Sequence, residues 1–283
     1  MRKLIASALL GFGLLTACGN SVPVATAPAP EAAAPTTLGE QVIYGDATTI
    51  AKRPYQVALL YDGTQFCGGT LISKDWVLTA AHCLDGVSAS RLKVRAGSAS
   101  PYSGGQLLNV SRYVIHSNYR SVEFGYDVAV LKLSSSVTTS SAQPALIPTS
   151  SADNVATAVG RYLTISGWGR TDPYSNTASS TLREASLPVL SYDDCDNQLA
   201  PLLGDLYLAQ GTVCGGVNRY SQSGCQGDSG GPFAGQGDNG KYYVFGIVSW
   251  GNVPKCNAGP TAFTRVATYN AWITQQTGIS ASN

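Results

Sequence analysis

A serine surrounded by glycines is the feature of this sequence best suited to chemistry. Ser229 lies in the stretch Ser223–Pro232, directly after Asp228 and between Gly227 and Gly230. Glycines let a backbone turn sharply and bring its N–H groups close to a substrate. A serine on such a turn can attack a carbonyl carbon while nearby N–H groups stabilise the charge on the oxygen. Because serine alone is a weak nucleophile, the stretch predicts a histidine and an acid elsewhere.

The same residues also match the Gly-x-Ser-x-Gly turn of α/β-hydrolases. That class places its catalytic histidine after the serine. Here the two histidines, His82 and His116, both precede Ser229, and alternating strand–helix units are missing from the sequence. Chain order therefore excludes the α/β-hydrolase interpretation and leaves the order histidine, aspartate, serine.

Two segments supply the expected histidine and acid. His82 ends the hydrophobic run Trp76–Ala81 and precedes Cys83, while Asp127 stands at the start of an apolar strand. An acid in that position can hold an imidazole in the tautomer that accepts the serine proton. Taken alone, Asp127 would more often cap a turn or pair with a basic residue. His116 lies in a polar surface segment, and we expect it to be structural.

Composition and patterning indicate an exported all-β protein. The 283 residues are 44% hydrophobic and only 12% charged, and the net charge of +1 gives no sign of a nucleic-acid partner. Alternating or apolar runs between turn residues predict a β-sandwich or a pair of β-barrels. The expected strands are Tyr55–Tyr61, Gly69–Ser73, Leu92–Gly97, Gln106–His116, Val128–Leu133, Tyr162–Gly167, Tyr242–Trp250 and Thr261–Val266. Only Ala267–Thr277 has a helical pattern.

The N-terminus predicts export. Two basic residues precede the apolar run Leu4–Ala17, which is short for a membrane span and typical of a signal peptide over residues 1–17. Leu15–Cys18 resembles a bacterial lipobox, which implies that Cys18 carries lipid chains. Gly19 in the next position favours the outer membrane or cell surface. The alternative is an ordinary signal peptide, with Cys18 discarded or unpaired.

The cysteine count fits the lipoprotein interpretation. Setting Cys18 aside from the seven cysteines leaves six, enough for three disulfides whose connectivity the count leaves open. Residues 18–41 are rich in Ala, Pro and Thr and predict a flexible tether, whose cleavage would release the folded part, residues 42–283.

The segments around His82, Asp127 and Ser229, in that order, resemble the chymotrypsin/trypsin family of serine peptidases over residues 42–283. The resemblance implies two antiparallel Greek-key β-barrels, about 42–150 and 151–266, and a helix at about 267–277. It also implies that Ser229 is the nucleophile, His82 the general base and Asp127 the orienting carboxylate. The N–H groups of Gly227 and Ser229 would form the oxyanion hole.

Further positions follow from the same resemblance. It implies the disulfides Cys67–Cys83, Cys195–Cys214 and Cys225–Cys256. Ser249, Trp250 and Gly251 would pair with the substrate backbone. Cleavage before Val42 would create an ammonium that pairs with Asp228. Gln41 and Tyr44 depart from the family's usual Lys or Arg and Gly, so we expect an activating protease unlike trypsin.

The resemblance places Ser223 at the floor of the specificity pocket, Gly251 at its mouth and Thr261 on its wall. None of the three is acidic, and a buried basic side chain would lack a counter-charge. We therefore expect cleavage after uncharged, small-to-medium apolar residues of protein or peptide substrates. We expect a monomer with no cofactor, no metal site and no calcium requirement, since 97–110 lacks Asp and Glu.

Two other interpretations stay open at this point. The chain could be a surface protein that uses the fold only for binding, although the complete set of reactive residues argues against this. It could also be an active fold that remains a precursor because Gln41 is never cut. Labelling of Ser229 by a fluorophosphonate, before and after proteolysis, distinguishes these cases.

Overall fold

The computed structural model describes residues 42–204, 207–219, 221–252 and 255–283. The predicted signal peptide, the predicted lipidation site Cys18 and the predicted tether lie outside the described residues. Within those four ranges, no helix is long and apolar enough to cross a membrane.

A closed antiparallel barrel forms the first half of the fold. After a two-residue strand β1 (Asp46–Ala47), its six strands are β2 (Gln56–Tyr61), β3 (Thr64–Ser73), β4 (Trp76–Thr79), β5 (Leu92–Ala96), β6 (Gln106–Ile115) and β7 (Ala129–Leu133). Hydrogen bonds join them in the order β2-β3-β4-β7-β6-β5. Apolar side chains such as Leu59, Leu71 and Leu131 fill the interior and are fully buried. Burial of these apolar side chains stabilises the barrel.

The second half is a seven-stranded antiparallel sheet that curls towards a barrel. Its strands are β8 (Tyr162–Gly167), β9 (Arg183–Pro188), β10 (Thr212–Gly215), β11 (Pro232–Gln236), β12 (Tyr242–Gly251) and β13 (Thr261–Arg265), with β1 at its edge. The order is β1-β9-β8-β11-β12-β13-β10. Gly216 N donates to Pro188 O (2.8 Å), which brings the end of β9 against the end of β10. The stacked rings of Phe233 and Phe263, 4.1 Å apart, lie in its core. The predicted all-β, two-barrel fold class is confirmed.

In the described ranges, three short α-helices accompany the barrels: α1 (Ser150–Ala156), α2 (Tyr192–Leu199) and α3 (Asn270–Thr277). Turns of 3₁₀ helix span Ala89–Arg91, Val122–Phe124, Ala200–Leu203, Cys256–Ala258 and Val266–Tyr269. The C-terminal helix is confirmed, but the expectation of only one helix was wrong. Thr149 caps α1 by accepting from Ala152 N, and Ser191 caps α2 by accepting from Asp194 N. A side-chain cap marks the residue at which α1 and α2 each begin.

Four chain segments meet where the barrels join. The turn after β4 carries His82, and Asp127 lies two residues before β7. The loop between β10 and β11 carries Ser229, and β12 carries Ser249. A hydrogen bond from Gly68 N to Ser229 O (2.7 Å) fastens the serine loop to β3 of the first barrel. The fold therefore brings four segments that are distant in sequence together at the junction of the two barrels.

Candidate active site

His82 and Asp127 form a closely bonded pair. Asp127 Oδ2 lies 2.8 Å from His82 Nδ1, and Asp127 Oδ1 accepts from the His82 backbone N–H at 2.9 Å. An ionised carboxylate only accepts hydrogen bonds, so this contact places the imidazole proton on Nδ1. The other ring nitrogen, Nε2, is then left as a proton acceptor.

Residues of the second barrel hold Asp127 in place. Ser249 Oγ donates to Asp127 Oδ2 (2.6 Å), and Thr264 Oγ1 donates to the Asp127 backbone carbonyl (2.9 Å). The Asp127 side chain is 1% exposed, whereas that of His82 is 24% exposed, so only the imidazole is open to the cleft. No motif in the sequence points to Thr264, and the resemblance assigned Ser249 a role through its backbone alone.

Ser229 lies on a loop that packs against the segment of the first barrel leading to His82. A Cβ built on the next residue, Gly230, would fall within 2.1 Å of Thr79 Oγ1 and 3.2 Å of Ala80 N, just before His82. Among the described residues, however, no hydrogen bond joins the Ser229 hydroxyl to the imidazole; His82 Nε2 lies 3.8 Å from Cys83 Sγ. Such catalytic hydrogen bonds are often long in a free enzyme and tighten when substrate binds.

Among the described residues, the two backbone N–H groups on either side of Asp228 in the loop around Ser229 have no acceptor. The N–H groups of Gly227 and Ser229 donate to no acceptor within the described part of the chain. By contrast, Asp228 N donates to Cys225 O (3.0 Å) and Gly230 N donates to Val248 O (2.8 Å). Gly227 and Ser229 are both partly exposed, so their N–H groups can meet a ligand oxygen. Such a pair of N–H groups is suited to stabilising an oxyanion.

A cavity of about 280 Å³ opens beside Ser229. Gly251 and Thr261 line it, together with Ser249 and Trp250, whereas Ser223 is not among the lining residues, and none of the described lining residues is acidic. Ser223 is fully buried next to Gly224, and its hydroxyl has no hydrogen-bond partner in the described part of the chain. Thr261 Oγ1 accepts from Gly224 N (3.1 Å), which fixes the Thr261 side chain at the cavity wall. The described part of the cavity wall therefore offers no carboxylate to a bound side chain.

Asp228 occupies a sealed interior site behind the loop. Its carboxylate accepts from Gly169 N (2.8 Å) and Cys225 N (3.1 Å). A Cβ on Gly169 would lie 2.5 Å from a carboxylate oxygen, so only glycine fits there. Burial raises the pKa of Asp228 from 3.8 to about 7, although the two backbone hydrogen bonds act to lower it. Among the described residues, the contacts of this carboxylate are backbone N–H groups and not basic side chains.

The predicted activation segment lies in the interior. Val42 and Ile43 are fully buried, and Ile43 pairs with Ser223 in an isolated antiparallel bridge. Gln222 Nε2 also donates to Tyr44 O (2.6 Å). The backbone at Val42 and Tyr44 has positive φ (41° and 56°), a conformation that costs energy for non-glycine residues. Interior packing holds this segment in place despite that cost.

Three disulfides join described residues: Cys67–Cys83, Cys195–Cys214 and Cys225–Cys256. The first lies beside His82 and the third borders the cavity. Among the described residues, Cys67, His82 and Cys83 form a group of potential metal ligands. Since both cysteines are in a disulfide, neither offers the thiolate that a metal needs.

Two other regions lie apart from these groups. His116 packs against Tyr126 (ring centroids 4.9 Å apart) and Trp272 (5.1 Å), and its Nδ1 accepts from Asn118 N. Burial lowers the pKa of His116, as expected for a neutral packed ring. The second region is the segment 97–110, which lacks Asp and Glu. Arg95 donates to three of its carbonyls, those of Pro101, Tyr102 and Gly104. The Arg95 guanidinium therefore occupies carbonyl oxygens that a calcium ion bound to this segment would need.

Comparisons with known proteins agree with this geometry. The family model described as Trypsin matches residues 42–273. Brachyurin of Leptuca pugilator is 35% identical over 230 residues, which cover 80% of this chain and 94% of brachyurin. A solved structure of HL collagenase superposes with a TM-score of 0.72 at 33% identity, covering 84% of this chain and 99% of the collagenase. The chain belongs to the trypsin family of serine peptidases.

Proposed function

We propose that the chain is an exported serine endopeptidase that cleaves after uncharged, small-to-medium apolar residues. The observation that carries the proposal is the arrangement at the barrel junction. The buried carboxylate of Asp127 contacts the accessible imidazole of His82. Ser229 lies nearby, on a loop in which the N–H groups of Gly227 and Ser229 have no acceptor among the described residues. Family membership supports this activity, and an intact set of reactive residues argues against a purely binding role.

The proposed reaction has two stages. Ser229 Oγ bonds to the substrate carbonyl carbon as its proton passes to His82 Nε2, and the oxyanion accepts from the N–H groups of Gly227 and Ser229. The C–N bond then breaks, and His82 gives the proton to the leaving amine. Water attacks the acyl-enzyme, loses a proton to His82, and the proton returns to Ser229 as the acid product leaves.

The direct experiment is labelling with a fluorophosphonate, which forms a covalent bond only with an activated serine. We expect the processed protein to be labelled at Ser229, as identified by peptide mass spectrometry, and the Ser229→Ala form to remain unlabelled. A processed, folded protein without label would support the binding-protein alternative. Labelling of a fully uncut chain would instead show that no activation step is needed.

The cavity mouth provides a test of specificity. In Gly251→Val the new side chain would stand at the mouth, since Gly251 lines the cavity with its Cβ position 3.3 Å from Pro260 O. We expect the kcat/KM for peptides with Leu before the cut to fall about tenfold relative to Ala, because a side chain in the mouth excludes longer residues. A strict preference of the parent enzyme for Arg or Lys would contradict the proposed specificity.

Activation is proposed to follow cleavage after Gln41 by a protease of different specificity. The new ammonium of Val42 would pair with Asp228 and order the loop that carries Ser229, since an unpaired buried charge is costly. Burial of Asp228 without a positive partner supports this idea. N-terminal sequencing of the active protein tests it: a mature end other than Val42 would contradict the proposed site.

The pKa of Asp228 gives the uncut protein a distinctive pH dependence. A carboxyl whose pKa rises from 3.8 to about 7 on folding binds a proton more tightly in the folded state. Its stabilising effect is full below about pH 4 and disappears as the pH rises through 7. In the uncut Ser229→Ala protein, we expect this group to lower the free energy of unfolding by about 2 to 3 kcal/mol between pH 5 and pH 8.

Urea unfolding of uncut Ser229→Ala, with and without Asp228→Asn, isolates this effect. Asparagine does not titrate, so the double variant should have the flatter profile. In the protein cut before Val42, the ammonium would lower the pKa of Asp228, and stability should no longer fall over this range. Equal slopes for the two uncut proteins would contradict the assignment.

Membrane attachment is a further part of the proposal. The lipobox-like segment ending in Cys18 supports a lipid anchor at the outer membrane or cell surface, with residues 18–41 as the tether. The intact mass of the membrane-extracted protein tests this. Acyl chains on an N-terminal Cys18 are expected, and an unmodified mass would leave a simple secreted protein.

A further inference from the structure

A buried glutamine of the first barrel reaches the loop that carries Ser229. Gln65, on β3, is 8% exposed. Its Nε2 donates to Gly227 O at 2.9 Å and to Cys67 O at 3.1 Å, so both N–H bonds of the amide are used. Cys67 in turn is joined by a disulfide to Cys83, beside His82. One side chain thus connects the loop with the strand that supports the imidazole.

Every backbone carbonyl from residue 225 to residue 229 accepts a hydrogen bond. Four of them accept from backbone N–H groups: Cys225 O from Asp228 (3.0 Å), Gln226 O from Arg170 (2.8 Å), Asp228 O from Gly231 (2.9 Å) and Ser229 O from Gly68 (2.7 Å). The carbonyl of Gly227 differs, because its partner is the Gln65 side chain. A side-chain donor can be removed by mutation without altering the backbone.

The conformation at Gly227 makes this contact important. Its φ is +95°, and glycine has no Cβ to limit rotation of the peptides on either side. In the peptide before Gly227, the carbonyl of Gln226 accepts from Arg170 N. In the peptide after it, the carbonyl of Gly227 accepts from Gln65. Between these two contacts lies the N–H that is aimed at a substrate oxygen. Loss of either contact would let that N–H move.

We propose that Gln65 is a positioning residue that keeps the Gly227 N–H aligned for oxyanion stabilisation. The inference depends on the proposed peptidase function and adds a residue to it. Gln65 lies behind the loop and acts through the Gly227 carbonyl rather than on substrate. Donors that are fixed before the reaction stabilise a transition state more strongly than donors that must reorganise. Removal of Gln65 should therefore weaken transition-state binding more than ground-state binding.

The test compares Gln65→Met with a matched control, Gln56→Met. Methionine is close in shape to glutamine but cannot donate to the two carbonyls. Gln56, on β2, is also fully buried and also bonds to the second barrel, by accepting from Ser166 Oγ at 2.7 Å. Both substitutions remove a buried contact between the barrels, but only Gln65→Met affects the Gly227 carbonyl.

The informative ligands are a peptide aldehyde with Leu at the reacting position and the corresponding peptide alcohol. Ser229 Oγ adds to the aldehyde carbon, its proton passes to His82, and the aldehyde oxygen enters the oxyanion hole. The alcohol fills the same cavity but forms no such bond. The ratio of the two inhibition constants therefore reports the oxyanion hole separately from the specificity pocket.

In Gln65→Met we expect kcat per labelled active site to fall by about tenfold, less than the loss from removing an oxyanion donor itself, with KM unchanged. Aldehyde affinity should fall by a similar factor, and alcohol affinity should be retained. Gln56→Met should leave the aldehyde-to-alcohol ratio unchanged even if its melting temperature falls. If Gln65→Met does not fold, Gln65→Leu, which is also uncharged and lacks the amide donor, should give the same selective loss.

Each outcome separates the two proposals. If the parent protein neither takes the fluorophosphonate nor cleaves peptides, the peptidase proposal fails. If the parent is active and the aldehyde-to-alcohol ratio of a folded Gln65 variant equals that of the parent, only the positioning role is overturned. An equal change of the ratio in Gln56→Met would also overturn it, since the effect would then come from general loosening of the barrels.

Discussion

Replacing Ser229 with alanine is expected to lower kcat by about 10⁶-fold, the scale of loss when a triad nucleophile is removed. Without the hydroxyl there is no acyl-enzyme, and only the remaining N–H donors and binding contacts can assist water. The Ser229 side chain makes no hydrogen bond among the described residues, so the substitution should cost little stability. Peptide hydrolysis under single-turnover conditions and thermal unfolding measure the two effects.

Two controls make this expectation strict. The dissociation constant of the peptide alcohol should be the same for Ser229→Ala and for the parent, because the cavity is lined by the unchanged Gly251 and Thr261. Any peptide hydrolysis by a contaminating protease in the variant preparation should disappear after a further chromatography step. Hydrolysis by homogeneous Ser229→Ala within a factor of ten of the parent rate would show that another residue is the nucleophile.

Replacing Asp127 with asparagine is expected to lower kcat by about 10⁴-fold. The Asp127 carboxylate accepts from His82 N, His82 Nδ1 and Ser249 Oγ, at 2.9, 2.8 and 2.6 Å. An amide has one oxygen, so its NH₂ group must face one of these donors. If it faces Nδ1, the imidazole proton moves to Nε2, and the ring can no longer accept the proton of Ser229.

Asp75→Asn is the matched control for this substitution. Asp75 is also an aspartate of the first barrel, and it pairs with Lys132 at 3.2 Å near the surface. Its replacement should leave kcat within a factor of two, because an exposed ion pair contributes little and touches no reacting group. Slow fluorophosphonate labelling of a folded Asp127→Asn, beside normal labelling of Asp75→Asn, is the expected result. Equal labelling rates would remove Asp127 from the mechanism.

Much of the fold was predictable because strand periodicity is a local signal. The predicted run Tyr162–Gly167 coincides with β8, and Gln106–His116 ends one residue beyond β6. The run Arg183–Pro188 was missed because its arginine, glutamate and serine obscure the alternation, although Ala185 and Leu187 are buried. The helices α1 and α2 were missed because their start depends on a single capping side chain.

The candidate site shows a different limit of sequence reasoning. Motifs identified His82, Asp127 and Ser229 because each lies in a distinctive local segment. Gln65 has no such segment, since its partner Gly227 is distant in sequence and the bond depends on how the barrels pack. The one available signal was its place two residues before Cys67, which puts a polar side chain on the buried face of a strand. Contacts of this kind become visible only in three dimensions.

The division of the site between the barrels also has a consequence during synthesis. Asp127 and His82 emerge from the ribosome well before Ser229, and the carbonyl of Asp127 finds its partner only when Thr264 has been made. The nascent chain therefore has an incomplete active site for most of its translation. The arrangement delays any hydrolytic capacity until almost the whole domain has been synthesised.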